Sequence, residues 1–241
     1  MLSTKMNISQ ILITDTKSEY PQYIAECLQS VRALFPEANH CVYDEQKIIE
    51  FISTNFDESV LKAFNRLIPN AYKADLGRYC LLYKLGGWYF DIAIRPFRRI
   101  DFSDDIDLFA FRDFGLISQV PYSVANGIIY SKKHNPVLKT AIELVVKNCA
   151  LNFYGVNALC PTGPNLFGQA IASHGSSKSN LFGDVLFLTP LHGIKNKAFV
   201  LPDGEIFGFF KPADGGDLTQ VGINGSNNYV SLYGNRNIYK K

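Results

Sequence analysis

Apolar and polar positions change period several times along the chain. Ile8-Ser-Gln-Ile-Leu-Ile-Thr14 is a short apolar run of strand type. After Pro21, the apolar positions Ile24, Cys27, Leu28 and Val31 repeat at i, i+3, i+4 and i+7, which predicts a helix ended before Pro36. Cys41-Val42-Tyr43 predicts a second strand. Asp44 and Asp57 stand where N-caps belong, ahead of two helices that use Ile48, Ile49, Ile52 and Val60, Leu61, Phe64. A longer helix is predicted over about 72–85, with Leu76, Tyr79, Cys80 and Tyr83 as its buried stripe. Gly86-Gly87 stops it, since glycine accepts the left-handed conformation of a helix end. Strands are predicted at 88–94, 109–111, 127–130, 185–188 and 206–210. Asn135-Pro136 caps a helix carrying Leu138, Ala141, Ile142 and Val145, and the Gly- and Asn-rich tail from Asp214 reads as loop.

Strands alternating with helices imply an α/β layered sheet. No Pro/Ser linker or fixed repeat divides the 241 residues, a length that suits one core, so a single domain over 1–241 is expected. A net charge of +2 gives no general nucleic-acid surface. No apolar run reaches the ~18–20 residues that span a bilayer, and the opening residues lack the apolar core of a signal peptide. The five cysteines are scattered without CxxC or metal spacing, which fits a reducing compartment. A cytoplasmic protein is expected, with peripheral membrane contact left open. His40, His134, His174 and His192 form no paired motif, and the phosphate-loop, dinucleotide and nucleophile-elbow signatures are missing.

The candidate chemistry lies in Asp75-Leu-Gly-Arg78-Tyr-Cys-Leu-Leu-Tyr83-Lys-Leu-Gly86-Gly87-Trp88-Tyr89-Phe90-Asp91. Asp75 and Arg78 are i, i+3 neighbours on one helix face, with Leu76, Tyr79 and Tyr83 pointing elsewhere. Alone, such a pair is an ordinary surface ion pair worth about 0–1 kcal/mol. Asp91 changes the picture, because a carboxylate inside an apolar strand needs a cation, hydrogen bonds or a place at the strand's mouth. In open α/β sheets ligands collect at the carboxyl ends of strands.

Ala71, Ala74, Asp75, Arg78, Tyr79, Leu82, Tyr83, Gly86, Gly87, Tyr89 and Asp91 resemble the pattern A-x-x-S/A-D-x-x-R-Y-x-x-L-Y-x-x-G-G-x-Y-x-D-x-D. That pattern marks the glycosyltransferases whose sugar-binding region contains a DXD motif, among them fungal Golgi mannosyltransferases, bacterial capsule and lipopolysaccharide transferases and, distantly, clostridial glucosylating toxins. Weaker echoes at 8–13, at Asn126 and at Thr162-Gly163-Pro164 extend the resemblance over about 8–170. It implies a GT-A-like (Rossmann-like) central mixed sheet flanked by helices, with a nucleotide-sugar-binding core over about 8–130 and an acceptor side and closing tail over about 131–241. It also implies a retaining transferase that moves a sugar from a UDP- or GDP-sugar to a glycan or lipid-linked acceptor, in surface polysaccharide or lipopolysaccharide synthesis. Carried over by position, Asp75 and Arg78 hold the donor sugar's hydroxyls, and Arg78 also approaches the diphosphate. Tyr89 and Asp91 contact the nucleotide, with Asp91 near the ribose and a Mn²⁺ or Mg²⁺ ion. Thr14, Ala74 and Gly163 join the substrate-binding set, Asn126 is an acceptor-side polar group, and Tyr233 in the tail could close the site.

One position departs from the pattern. Where the family's second acid supplies a firm bond to the metal, this chain has Ala93, which cannot ligate. Three readings stay open. Asp91 with diphosphate and water holds a weak metal; Arg78 or Arg95, Arg98 and Arg99 neutralise the phosphates without one; or the chain is a non-catalytic nucleotide-sugar binder or scaffold. Asp105-Ile106-Asp107 is a literal DXD but sits in a polar, turn-like stretch and reads as a solvated loop. Arg95, Arg98 and Arg99 read first as a solvated turn after Pro96. The tail also lacks the family's usual His and Trp.

Overall fold

The computed structural model describes residues 5–14, 19–113, 119–175, 177–187, 197–210 and 217–241. The predicted strand at 185–188 runs partly outside these residues, as do His192 and the start of the tail. Nine strands form one mixed sheet in the order β2-β1-β3-β6-β5-β7-β8-β9-β4. They are β1 (Asn7–Ile11), β2 (Asn39–Tyr43), β3 (Gly87–Phe90), β4 (Arg95–Pro96), β5 (Leu108–Asp113), β6 (Val124–Ser131), β7 (Asn180–Phe187), β8 (Lys197–Val200) and β9 (Ile206–Phe209). The helices are α1 (Gln22–Leu34), α2 (Glu45–Asn55), α3 (Glu58–Arg66), α4 (Asn70–Leu85), α5 (Pro136–Leu151), α6 (Pro164–Ser173) and α7 (Tyr229–Gly234). β1 runs parallel to β2 and β3, and β5 parallel to β7, while β6 lies antiparallel between β3 and β5.

Strand alternation sorts the core into two faces. Tyr89, Leu108, Ala110 and Ile129 pack toward α4, α5 and α6. Trp88, Phe90, Phe109, Phe111 and Ile128 pack on the other face with Val31 of α1 and with Phe35, which follows its end. There the Trp88 ring meets Phe35, Phe90, Phe102, Phe109, Tyr130 and Phe207 at centroid distances of 5.3–6.0 Å. Rings in such offset and tilted pairs add to their burial energy.

The chain connectivity forces this sheet to curl. β3 and β4 are six places apart in strand order, about 29 Å if the sheet were flat at ~4.8 Å per strand. The five steps from Phe90 to Arg95 reach at most about 18 Å. The sheet therefore wraps round, and Phe207 of β9 stacks on both Trp88 (6.0 Å) and Phe90 (6.3 Å) of β3.

The structure reshapes several predicted elements. α4 starts two residues earlier than expected and is buried nearly all round, Asp75, Gly77 and Arg78 included, so it lacks a single apolar stripe. β3 ends at Phe90, which puts Asp91 just past the strand's carboxyl end instead of inside it. α6, β8 and α7 lie where no element was expected. The tail is more than loop: Val221, Ile223, Ile238 and Tyr239 are buried, and Tyr239 bridges to Leu67. Asp44 caps α2 by accepting from Lys47 N at 2.9 Å, whereas Asp57 occupies the cap position of α3 without a side-chain bond.

The Gly86-Gly87 stop does more than end α4. Gly86 has φ +62°, Gly87 has φ +86°, and a Cβ on Gly87 would fall 2.1 Å from the Asn7 carbonyl oxygen. Gly87→Ala is expected to cost on the order of 3 kcal/mol, through strain and loss of the β1–β3 approach. Urea denaturation tests this, and an unchanged midpoint would contradict that close approach.

Candidate active site

The parallel strands β1, β3 and β5 share one carboxyl edge, and the acids gather there. β3 delivers Asp91 at its end, where the Asp91 N–H donates to the Gly127 carbonyl at 2.7 Å and prolongs the β3–β6 pairing by one bond. α4 lies across this edge and presents Asp75 and Arg78 one turn apart. α6 brings Thr162 and Gly163 at its N-terminus, whose positive dipole end favours negative charge nearby.

Arg78 is the hub and is 4% exposed. Its Nη2 lies 3.2 Å from Asp75 Oδ1 and its Nη1 3.1 Å from Asp91 Oδ1. Nη1 also donates to the Asn126 carbonyl at 2.6 Å, and Nε to the Ala74 carbonyl at 3.2 Å. The guanidinium sits 4.6 Å from the centre of the Tyr89 ring. Asp75 is held from three directions, since Asn126 Nδ2 donates to Oδ1 at 2.9 Å and Thr162 Oγ1 to Oδ2 at 2.7 Å. The Tyr89 hydroxyl donates to Asp91 Oδ1 at 2.8 Å. Tyr79, expected to point elsewhere, joins the network by accepting from Asn126 Nδ2 at 2.8 Å and donating to the Thr162 carbonyl at 2.9 Å.

The electrostatics follow from burial. Removal from water pushes Asp75 upward and the charge of Asp91 adds to this, against the pull of Arg78, Thr162 and Asn126. Desolvation works against the Arg78 charge, but Asp91, Tyr89 and Asp75 outweigh it and hold the guanidinium firmly protonated. Burial raises the Tyr79 and Tyr89 hydroxyls well above their usual range. These tyrosines therefore act as neutral donors and acceptors.

Two glycines open space beside the carboxylates. A Cβ on Gly127 would fall 2.9 Å from Asp91 Oδ2, and one on Gly163 3.4 Å from Asp75 Oδ2. Asp91 Oδ2 accepts no hydrogen bond among the described residues and is the free acceptor of the cluster. Sequence reasoning missed Tyr79, Thr162 and Gly127 as parts of this arrangement. It also missed Tyr229 of α7, which packs on Tyr72 at 5.6 Å. Burial first, then the charges of Asp75, Asp113 and Asp91, push the Tyr229 hydroxyl up.

Other expected site residues lie apart from the cluster. Thr14 Oγ1 donates to the Asn224 carbonyl at 2.9 Å and ties the end of the first strand to the tail. Tyr233 donates to the Gly155 carbonyl at 3.1 Å, on the outer side of α7. Arg95, Arg98 and Arg99 each face surface carboxylates, Arg95 at 3.7 Å from Glu26, Arg98 at 2.8 Å from Glu205, and Arg99 with Glu37 and Asp101. Asp107 pairs with Lys132 at 2.8 Å in a loop, as the solvated reading of 105–107 expects. A surface groove of about 670 Å³ between α3, α5 and the end of α4 contains none of the cluster's residues.

The donor set limits how a divalent ion could be held. Among the described residues no group of three or more His, Cys, Asp or Glu is arranged to hold a metal. Ala93 is 1% exposed and packs with Ile24, Leu28, Ile92, Val221 and Ile223, an apolar seat formed by α1 and the tail. Among the described residues of the cluster, Asp91 Oδ2 is the carboxylate oxygen left without a hydrogen bond and so the one that could ligate an ion. That set fits a Mg²⁺ or Mn²⁺ ion arriving with phosphate and water ligands, and not one caged by protein.

The mixed sheet thus carries acids and a buried arginine at its carboxyl edge. Residues 21–109 match the family described as the glycosyltransferase sugar-binding region containing the DXD motif. An uncharacterized glycosyltransferase of Acanthamoeba polyphaga mimivirus is 27% identical over 169 residues, covering 70% of this chain and 62% of the relative. The chain thus spans under two thirds of that relative's length. The PaToxG glycosyltransferase shares the fold with a TM-score of 0.56 and 19% identity, over 71% of this chain and 70% of that one. The UDP-bound glycosyltransferase domain of the YGT toxin does so with a TM-score of 0.53 and 8% identity, over 75% and 79%. Residues 21–109 are thus similar to the DXD-containing sugar-binding region of glycosyltransferases, and the chain shares its fold with the glycosyltransferase domains of these toxins.

Two substitutions probe the cluster. Arg78→Met should destabilise the protein by about 3–5 kcal/mol at neutral pH, because it leaves the buried Asp75 carboxylate without its cation. Burial already raises Asp75, and loss of Arg78 removes the main opposing pull, so its folded-state pKa moves further above the unfolded value. Its contribution is then present at low pH and lost as pH climbs through the folded pKa, so the deficit should shrink toward about pH 4.5. Urea denaturation at both pH values checks this, and an equal deficit would remove Arg78 from the role described. Ala93→Asp buries a carboxylate in an apolar seat, with an expected cost on the order of 3 kcal/mol. A stable Ala93→Asp protein with new metal-dependent turnover would show instead that position 93 faces the metal.

Proposed function

We propose that the chain transfers a sugar, with retention, from a nucleoside-diphosphate donor to a glycan or lipid-linked acceptor of the kind used in surface polysaccharide synthesis. The observation that supports this most directly is the clamp of Arg78 between Asp75 and Asp91, inside the matched sugar-binding region. UDP is the favoured nucleotide because a toxin domain of the same fold binds it.

In this reading each group has a task set by its remaining bonding capacity. Arg78 has nearly all its N–H groups committed to protein acceptors, so it orients the two carboxylates and lends positive field to the edge. Asp75 keeps lone-pair capacity on Oδ2, toward the space left by Gly163, and accepts from a sugar hydroxyl. Asp91 Oδ2 accepts from the nucleotide side. Tyr89 holds Asp91 in place and Tyr229 covers the edge. The bond that breaks leaves negative charge on the diphosphate, and a divalent ion bound with the donor at Asp91 would neutralise it. Surface ion pairing occupies Arg95, Arg98 and Arg99, which weakens the reading in which they replace the metal.

A second reading, a binder without turnover, is favoured by the apolar seat of Ala93. Donor hydrolysis over a panel of UDP- and GDP-sugars, with and without Mn²⁺, separates the two. The transferase reading expects Mn²⁺-stimulated release of free sugar, cut about a hundredfold by Asp91→Asn and by Asp75→Asn. Calorimetric binding of UDP with no turnover of any donor would establish the binder. Full activity in both variants would move the site elsewhere.

A further inference from the structure

Away from the carboxylates, four large apolar side chains stand in water on one side of the molecule. Leu151 is 66% exposed, Val156 67%, Val230 51% and Phe153 43%. Leu151 ends α5, Phe153 and Val156 lie in the connection that follows it, and Val230 is in the first turn of α7. Hydrogen bonds and ring contacts join the two segments into one face. Tyr233 donates to the Gly155 carbonyl at 3.1 Å, Tyr239 donates to the Phe153 carbonyl at 2.5 Å, and the Tyr154 and Tyr233 rings are 5.6 Å apart. The Arg236 guanidinium lies 4.3 Å from the centre of the Tyr154 ring.

The segments that build this face carry charge of one sign. Residues 144–183 and 218–241 contain no Asp or Glu, while they carry Lys147, Lys178, Arg236, Lys240 and Lys241. Lys147, Arg236, Lys240 and Lys241 are exposed on or beside this face. The two acid-free segments are the ones that build it, in a chain whose net charge is only +2.

We infer that this face docks onto a membrane surface bearing anionic lipids. Aliphatic side chains projecting from a loop and a helix start can enter the boundary between headgroups and acyl chains. Tyrosines are suited to the headgroup level, where an apolar ring and a wet hydroxyl are both accommodated. Each basic residue held near an anionic leaflet adds an attraction that salt screens. A nucleic acid would share the charge complementarity and could stack on Phe153, but the three most exposed side chains, Leu151, Val156 and Val230, are aliphatic and offer bases no stacking partner.

The face adjoins the carboxylate cluster. Tyr72 donates to the Ala158 carbonyl at 2.6 Å, and Thr162, a few residues on, reaches Asp75. Docking would hold the cluster close to the bilayer, where a lipid-linked acceptor resides. That consequence rests on the transferase reading, whereas docking does not.

Sedimentation of the full chain with phosphatidylcholine vesicles, with and without phosphatidylserine, tests the proposal. The expected result is binding only to the anionic vesicles, falling as salt rises. Leu151→Ser with Val156→Ser should weaken it about tenfold, and Lys147→Glu with Lys240→Glu comparably. Both double variants should keep the wild-type melting temperature and donor hydrolysis. Failure of the wild type to bind anionic vesicles would overturn the proposal, as would binding unchanged in both variants. A wild-type dimer dispersed by the Leu151→Ser, Val156→Ser pair would do the same and assign the face to a second copy. Loss of vesicle binding with hydrolysis intact separates this inference from the transferase reading.

Discussion

A guanidinium stays charged at any physiological pH, so a fold that buries one must surround it with acceptors or lose several kcal/mol. Arg78 is in that position. Its partners come from three parts of the chain: Asp75 and the Ala74 carbonyl from α4, the Tyr89 ring and Asp91 from β3 and its end, and the Asn126 carbonyl from β6. Asn126 and Thr162 then restrain Asp75 in turn. Removing one acceptor leaves a buried charge, and leaving one carboxylate unpaired does the same with the opposite sign. The folded core and the reactive edge are therefore the same set of bonds.

The sheet's curvature decides where that set sits. Because only a few residues separate β3 from β4 at the far edge of the sheet, the turn carrying Asp91, Ile92 and Ala93 is drawn tight at the carboxyl end. Asp91 faces Arg78 and Gly127, while Ile92 and Ala93 turn toward α1 and the tail. The position where relatives carry a second acid is therefore enclosed by apolar side chains. In this chain the turn spends that position on anchoring the tail.

Much of this could be read from residue order. The α1 periodicity, the Asp44 and Asn135 caps and the Gly86-Gly87 stop are local signals, and each appears in the structure because neighbouring residues suffice to produce it. The pairing of Asp75 with Arg78 is equally local, one helical turn. By contrast α6 was not expected, since Leu166, Phe167 and Ala170 form too short a pattern after Thr162-Gly163-Pro164. α7 was hidden by the Gly- and Asn-rich tail, whose scattered apolar residues acquire a partner only when α1 and α3 supply one. Tyr79 was read as core because an aromatic on a helix looks the same whether its hydroxyl meets a network or not.

Residue order alone therefore specified the resemblance to glycosyltransferases, the helix–Gly-Gly–strand unit and the identity of its charged groups, because these depend on contacts between near neighbours. Tertiary structure decided that the Asp75–Arg78 pair is buried and not solvated, that Asn126 and Thr162 join it, and that Ala93 faces the tail. Each of those outcomes needs segments 30 to 150 residues apart to meet, and their meeting is set by sheet order and curl, which no local pattern encodes.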